Sequence, residues 1–271
     1  MIKRNMPSLT YSGQIVRQYE PDLFLLSLFA PASVRLALWA LFACHHEIAK
    51  TRDVVSETAT GLIRLQWWRE AVGEIFEGRS PRRNEILPDL ARAVHDFGLS
   101  RVDFDTMIYT REFDLEGRNP GTLEGLARYA EGIYGSLFRL ALSILGETDT
   151  SDAINKASVR CGILHAIRCV PKHVGQGWCL LPADILAHHN VSIKKIYDFN
   201  DKQDLPRVIE EVLAGLPNNR NAQSWFLRRL HRLTDIYLRQ IEKAGYDPYH
   251  PSLVLPPPFL ALRLAWPFQA A

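Results

Sequence analysis

Cys161, His165, Cys169 and His173 recur at every fourth position, so a continuous helix would bring neighbouring members onto one face. Thiolate and imidazole suit Zn²⁺ or a similar soft ion, whereas Mg²⁺ takes oxygen ligands in near-octahedral geometry. Two features count against a metal set here. The face drifts by about 40° at each four-residue step, and Pro171 disrupts the helix before His173. Core cysteines and a hydrogen-bonded histidine are the plainer account, since free cysteine is among the most buried residue types. A second group is cationic: Arg35, Lys50, Arg52, Arg168 and Lys172. Basic side chains bind phosphate without metal, so a diphosphate or phospholipid head group would suit them if they converge. Otherwise they lay their stems on the fold and keep their heads in water. The acids set beside them in this reading are Glu47, Asp53 and Asp114.

These residues lie in strings that carry a resemblance. The run Gly162-Ile163-Leu164-His165-Ala166-Ile167-Arg168-Cys169-Val170-Pro171-Lys172-His173, then Leu180-Leu181-Pro182, resembles the second signature of squalene and phytoene synthases, NILRDVGEDxxxGRxYLP. Arg168 to Pro182 fits its spacing without a gap. The two motif aspartates fall on Cys169 and His173, the glutamate on Lys172 and the leading asparagine on His165. Upstream, Arg35 to Asp53 is similar to the helix RRAxxxLYAFCRxADDIVD. Setting Leu41-Phe42-Ala43 on LYA puts the DxxxD aspartates on Ala49 and Asp53, with Lys50 just inside. A shifted register would let Glu47 stand for a motif acid, with a poorer fit downstream. Phe24 to Pro31, Phe113-Asp114-Leu115 and Tyr129 to Ser136 resemble further family segments, so the likeness runs from about Asp22 to Pro182 and more weakly beyond.

The strings Glu47 to Glu57, Gly61 to Arg69 and His250 to Leu253 narrow the resemblance. They look like a divergent branch of the family that includes respiratory complex I assembly factors. The resemblance implies an isoprenoid-synthase fold, with Lys50 and Lys172 on facing helices at the mouth of one cavity. It also implies that the aspartates which hold magnesium in the family are largely gone. A lysine repels a divalent cation at close range, so such a rim favours anions.

Composition agrees with one sizeable core. The chain has 271 residues, 47% of them hydrophobic, with Lys+Arg 32 against Asp+Glu 30 and a net charge of only +2. That balance gives no reason to expect nucleic acid. Four cysteines (Cys44, Cys161, Cys169, Cys179) fit a reducing compartment. Met1 to Pro7 lacks the apolar core of a signal peptide, so the expected location is cytoplasmic, with peripheral contact to the inner membrane as an option. Leu23 to Cys44 is apolar, but Pro31 and Arg35 sit mid-span, and a buried arginine costs about 2.5–3.5 kcal/mol on insertion scales. A core helix starting near Pro31 is expected instead. The stretch Leu253 to Phe268 offers an interfacial anchor through its aromatic residues and arginine, while the triple proline Pro256-Pro257-Pro258 argues against one spanning helix.

Helical periodicity dominates. Leu65, Trp68, Val72, Ile75 and Phe76 share a face; Leu123 to Leu145 repeats at helical spacing and stops at Gly146; Trp225 to Ile241 does so before Gly245. Turn residues punctuate at Arg79-Ser80-Pro81, Arg118 to Gly121 and Leu216 to Asn219. The expectation is all-α: a short N-terminal extension (1–20), then a single-domain isoprenoid synthase-like helical bundle of about ten helices around a central cavity (21–271).

The candidate ligand-cavity residues are Arg35, Glu47, Lys50, Asp53, Asp114, Tyr129, His165, Arg168, Cys169, Lys172 and His173. With no catalytic set and no cofactor expected, the first reading is a non-catalytic descendant acting in complex I assembly. Its partner would be a membrane-associated complex I subunit or assembly factor. The alternative is an active head-to-head prenyl-diphosphate transferase, in which Glu47, Asp53 and Asp114 would have to hold Mg²⁺. A carrier of isoprenoid diphosphate or anionic lipid is a third.

Overall fold

The structure, a computed structural model, describes residues 9–192, 194, 196, 204–218 and 221–265. The regular elements among these are all helical, as the periodicities predict. Met1 to Pro7, Asn219 and Trp266 to Phe268 of the stretches named above lie outside the described residues. The chain gathers into two compact units, Met1–Arg111 with Arg139–Glu147, and Glu112–Phe138 with Thr148–Ala271.

In the first unit α1 (Tyr11–Tyr19), α2 (Pro21–Ser27) and α3 (Arg35–Ala49) pack together. Thr10 caps α1 by accepting from the Gly13 N–H, and Pro21 opens α2 where its missing N–H costs nothing. The apolar run from Leu23 is cut by Pro31 and a 3₁₀ turn at Ala32–Val34 before α3 begins. Leu38, Leu41, Phe42 and Ile48 are fully buried along α3. Each such side chain contributes about 1.5–3 kcal/mol relative to exposure. Trp39 locks the three helices: its Nε1 donates to Ser27 Oγ at 2.8 Å and its ring stacks on Phe24 at 5.7 Å. A Cβ on Gly13 would come within 2.9 Å of that ring, which is why α1 carries a glycine there. Next come the single turn α4 (Thr51–Val54), then α5 (Thr58–Phe76), α6 (Leu87–Phe97) and α7 (Arg101–Thr110). The expected α5 face is inside: Leu65, Trp68, Val72 and Ile75 are buried.

The second unit is built around α10 (Ser151–Arg168), which packs on α8 (Leu123–Ala130), α13 (Leu205–Ala214) and α14 (Trp225–Lys243). The pattern from Leu123 to Leu145 folds as an unbroken run of helix. A π-helical turn at Glu131–Gly135 separates α8 from α9 (Ser136–Leu145), and α9 stops at Gly146 with φ +65°. Gly162 lets α10 meet this segment: a Cβ there would sit 2.4 Å from the Ala130 Cβ. Thr150 and Ser224 cap α10 and α14. The remaining helices are α11 (Val170–Gly175), α12 (Ala183–His188) and α15 (Leu260–Ala265). Within the described residues no helix is long and apolar enough to cross a membrane.

Candidate functional site

In the first unit, the end of α3 and the start of α5 bring Glu47, Lys50 and Arg64 together. Glu47 takes Lys50 Nζ at 3.2 Å on one oxygen and Arg64 Nη2 at 3.1 Å on the other. Its side chain is only 15% exposed, whereas both cations keep contact with solvent. Asp53 stands on the exposed side of α4, one turn beyond Lys50, and its N–H bonds the Lys50 carbonyl at 2.9 Å. Arg35 donates to the carbonyls of Ala30 and Leu28 at 3.0 Å each, so it braces the turn that introduces α3.

In the second unit, Asp114 is buried and accepts a 2.5 Å hydrogen bond from the Tyr129 hydroxyl, while Phe113 packs against the same ring. Along α10 and α11, Pro171 breaks the helix as expected. The Cys169 N–H still bonds His165 O and the His173 N–H still bonds Cys169 O, at 2.9 and 2.8 Å, but the segment turns at Cys169. His165 and Cys169 meet, Nε2 to Sγ, at 3.4 Å. Lys172 is exposed, and Arg168 lies 3.6 Å over the ring of buried Tyr237. His173 turns away from this face: it is 6% exposed and its ring sits 3.8 Å from that of Trp178.

Mg²⁺ needs several free oxygen ligands. In the first unit Glu47 is engaged by two cations while Asp53 stays exposed; in the second, Asp114 bonds the Tyr129 phenol and α10–α11 presents sulfur, imidazole and ammonium. Arg64 is the participant that sequence reasoning missed. In sequence it is one of several charged residues on an outer face of α5, and only the packing of α4 and α5 brings it to Glu47. A groove of about 400 Å³ elsewhere on α5 is lined by residues already paired, with Arg82 bridging Glu70 and Glu74.

Comparison with known proteins identifies the family and the fold. Residues 16–260 fit the squalene/phytoene synthase family model. Among curated proteins the chain is 29% identical to NADH dehydrogenase (ubiquinone) complex I, assembly factor 6 of Bos taurus, over 90% of this chain and 76% of that protein. It is 27% identical to the Mus musculus protein of that name over the same shares. It is 22% identical to phytoene synthase of Arthrospira platensis, over 90% of this chain and 86% of that one. Two solved structures share the fold: squalene synthase HpnC from Alicyclobacillus acidocaldarius and a dehydrosqualene synthase in complex with ligand. The first aligns with TM-score 0.72 over 88% of this chain and 94% of that one, the second with 0.68 over 94% of each, both at 16% identity. With the all-α architecture and a family match across nearly its whole length, the chain belongs to the squalene/phytoene synthase family.

Proposed function

We propose that this protein is a non-catalytic member of its family that acts in the assembly of respiratory complex I. The observation that carries the reading is Glu47: the acid that a shifted register would place in the first signature is held between Lys50 and Arg64 instead of standing free for a metal. The second signature adds support, because its acidic positions align with Cys169, Lys172 and His173. Allylic ionisation relies on metals to stabilise the departing diphosphate, and these residues cannot substitute for them. Similarity to complex I assembly factor 6 proteins gives the direction of the function.

Peripheral contact with a membrane belongs to the same reading. Val254, Leu255, Phe259 and Leu262 are each more than 65% exposed within one short stretch of chain. Partners of an assembly factor for a membrane-associated complex lie at such a surface. A second reading, in which isoprenoid diphosphate or an anionic lipid binds without metal, draws on the exposed Lys172 and on the phytoene synthase relative.

Deleting the gene tests the first reading directly. The expected result is loss of assembled complex I and of its NADH dehydrogenase activity, restored by the wild-type gene. Unchanged complex I overturns it. Purified protein given farnesyl or geranylgeranyl diphosphate and Mg²⁺ is expected to release no pyrophosphate; turnover would establish the transferase instead.

A further inference from the structure

A cluster unrelated to the family signatures sits where α12 meets α13. His188 is the last residue of α12 and His189 its cap. The backbone there is closed by two bonds, Asn190 N–H to Ala187 O at 3.0 Å and Val191 N–H to Leu186 O at 2.9 Å, with Asn190 at φ +55°. This is a Schellman closure, which fixes where both histidines start. Glu211 faces them from α13. Beneath, Ile185, Leu186 and Val191 share a core with Val208, Ile209 and Val212, so the two backbones are held before the polar side chains meet.

Those side chains converge on one point. His188 Nδ1 lies 2.9 Å and His189 Nε2 lies 2.7 Å from the same oxygen, Glu211 Oε2. All three donor atoms lie within 4.8 Å of one another. Adjacent residues at a helix end diverge in direction, yet these two reach a common centre by using different ring nitrogens. The hydrogen bond from His189, and then that from His188, keep the Glu211 carboxyl below the usual carboxylate range, so it is an anion at neutral pH.

We propose that His188, His189 and Glu211 bind a Zn²⁺-class transition-metal ion that staples α12 to α13. Two imidazoles and one carboxylate match the ligand preference of such ions and disfavour Mg²⁺. Tetrahedral Zn²⁺ with bonds of about 2.0–2.1 Å sets its ligands about 3.3 Å apart. The present separations therefore open by about half an ångström, within reach of side-chain torsions. Ligation through His188 Nδ1 and His189 Nε2 requires each ring to carry its proton on the other nitrogen. His188 is well exposed, which leaves a side open for water as the fourth ligand.

The test uses tag-free full-length protein and ZnCl₂ in equilibrium dialysis, with thermal melts alongside. One Zn²⁺ per chain is expected, and at a roughly hundredfold excess over its dissociation constant the Tm rises by several degrees. Glu211→Gln keeps the size of the side chain and weakens zinc binding at least tenfold; the double variant His188→Ala, His189→Ala abolishes it. Circular dichroism of the apo variants verifies folding. Co²⁺ substitution is expected to give a spectrum of nitrogen and oxygen ligation. Unchanged zinc affinity in Glu211→Gln, or thiolate-to-cobalt charge-transfer bands that place the ion on Cys161 or Cys169, overturns the proposal. So does a failure of zinc to bind or raise Tm.

Discussion

At the scale of single residues, two groups give direct readouts of their surroundings. Burial, with Glu47 adding to it, pushes the Cys44 thiol up to about 12, and burial pushes Cys179 to about 11. A thiol reacts as its thiolate, so neither is reactive in the folded protein. Iodoacetamide at pH 8 is therefore expected to label only Cys161 and Cys169, the two partly exposed thiols, by peptide mass mapping; all four should react in urea. His231 tells of pH. Burial first, then the nearby Arg160 charge, lowers its pKa below that of an ordinary histidine. The unfolded chain takes up this proton at a higher pH than the folded one. His231 thus supports the fold above about pH 6.5, and that support is lost as pH falls through the window beneath. Urea midpoints measured from pH 7 to about pH 5 should fall less steeply for His231→Gln than for wild type.

Between elements, α10 approaches the end of α8 closely at Gly162. Gly162→Ala puts a methyl 2.4 Å from the Ala130 Cβ and 3.1 Å from its Cα, so backbone must move. Overpacking of this kind costs about 1–3 kcal/mol, against which the helix-propensity gain of about 1 kcal/mol is smaller. Net loss of stability is expected by urea denaturation, with helical content retained. This contact also shows what sequence could and could not tell. The stripe Leu123 to Leu145, the stops at Gly146 and Gly245 and the α5 face were legible because each depends on residues a few positions apart. The π-helical turn at Glu131–Gly135 was not, because the spacings of three and four through Leu126, Tyr129, Ile133, Leu137 and Leu140 read as one α-helix. Among the site residues, Asp114 and Tyr129 were each singled out through the family resemblance, but nothing in the sequence pairs them. Arg64 and Glu47, or Glu211 and His188, meet through helix packing across 17 and 23 positions, and no local spacing announces such pairs.

For the molecule as a whole, the question is how a chain with no spanning helix among its described residues would meet a membrane-bound partner. The C-terminal stretch offers a means, because its apolar side chains are displayed on chain that is tied down. Gln240 on α14 donates to the carbonyls of Ser252 and Leu255 at 2.6 and 3.1 Å, and Leu264 of α15 is fully buried. Between these anchors Val254, Leu255 and Phe259 face outward at 81, 71 and 77% exposure, and Leu262 follows on α15 at 66%. Exposing so much apolar surface costs solubility unless something covers it, and a lipid interface accepts aromatic and aliphatic side chains flanked by arginine, here Arg263. Burial of these four groups at about 25 cal/mol per Å² is enough for reversible adsorption but not for permanent insertion. The protein is therefore expected to co-sediment with vesicles of phosphatidylcholine and cardiolipin. Phe259→Ser combined with Leu262→Ser should cut the bound fraction severalfold while leaving Tm within about 1–2 °C of wild type, because neither side chain is buried. Binding that survives the double substitution would assign membrane contact to another surface. Loss of binding together with normal complex I assembly in cells would separate adsorption from the assembly role.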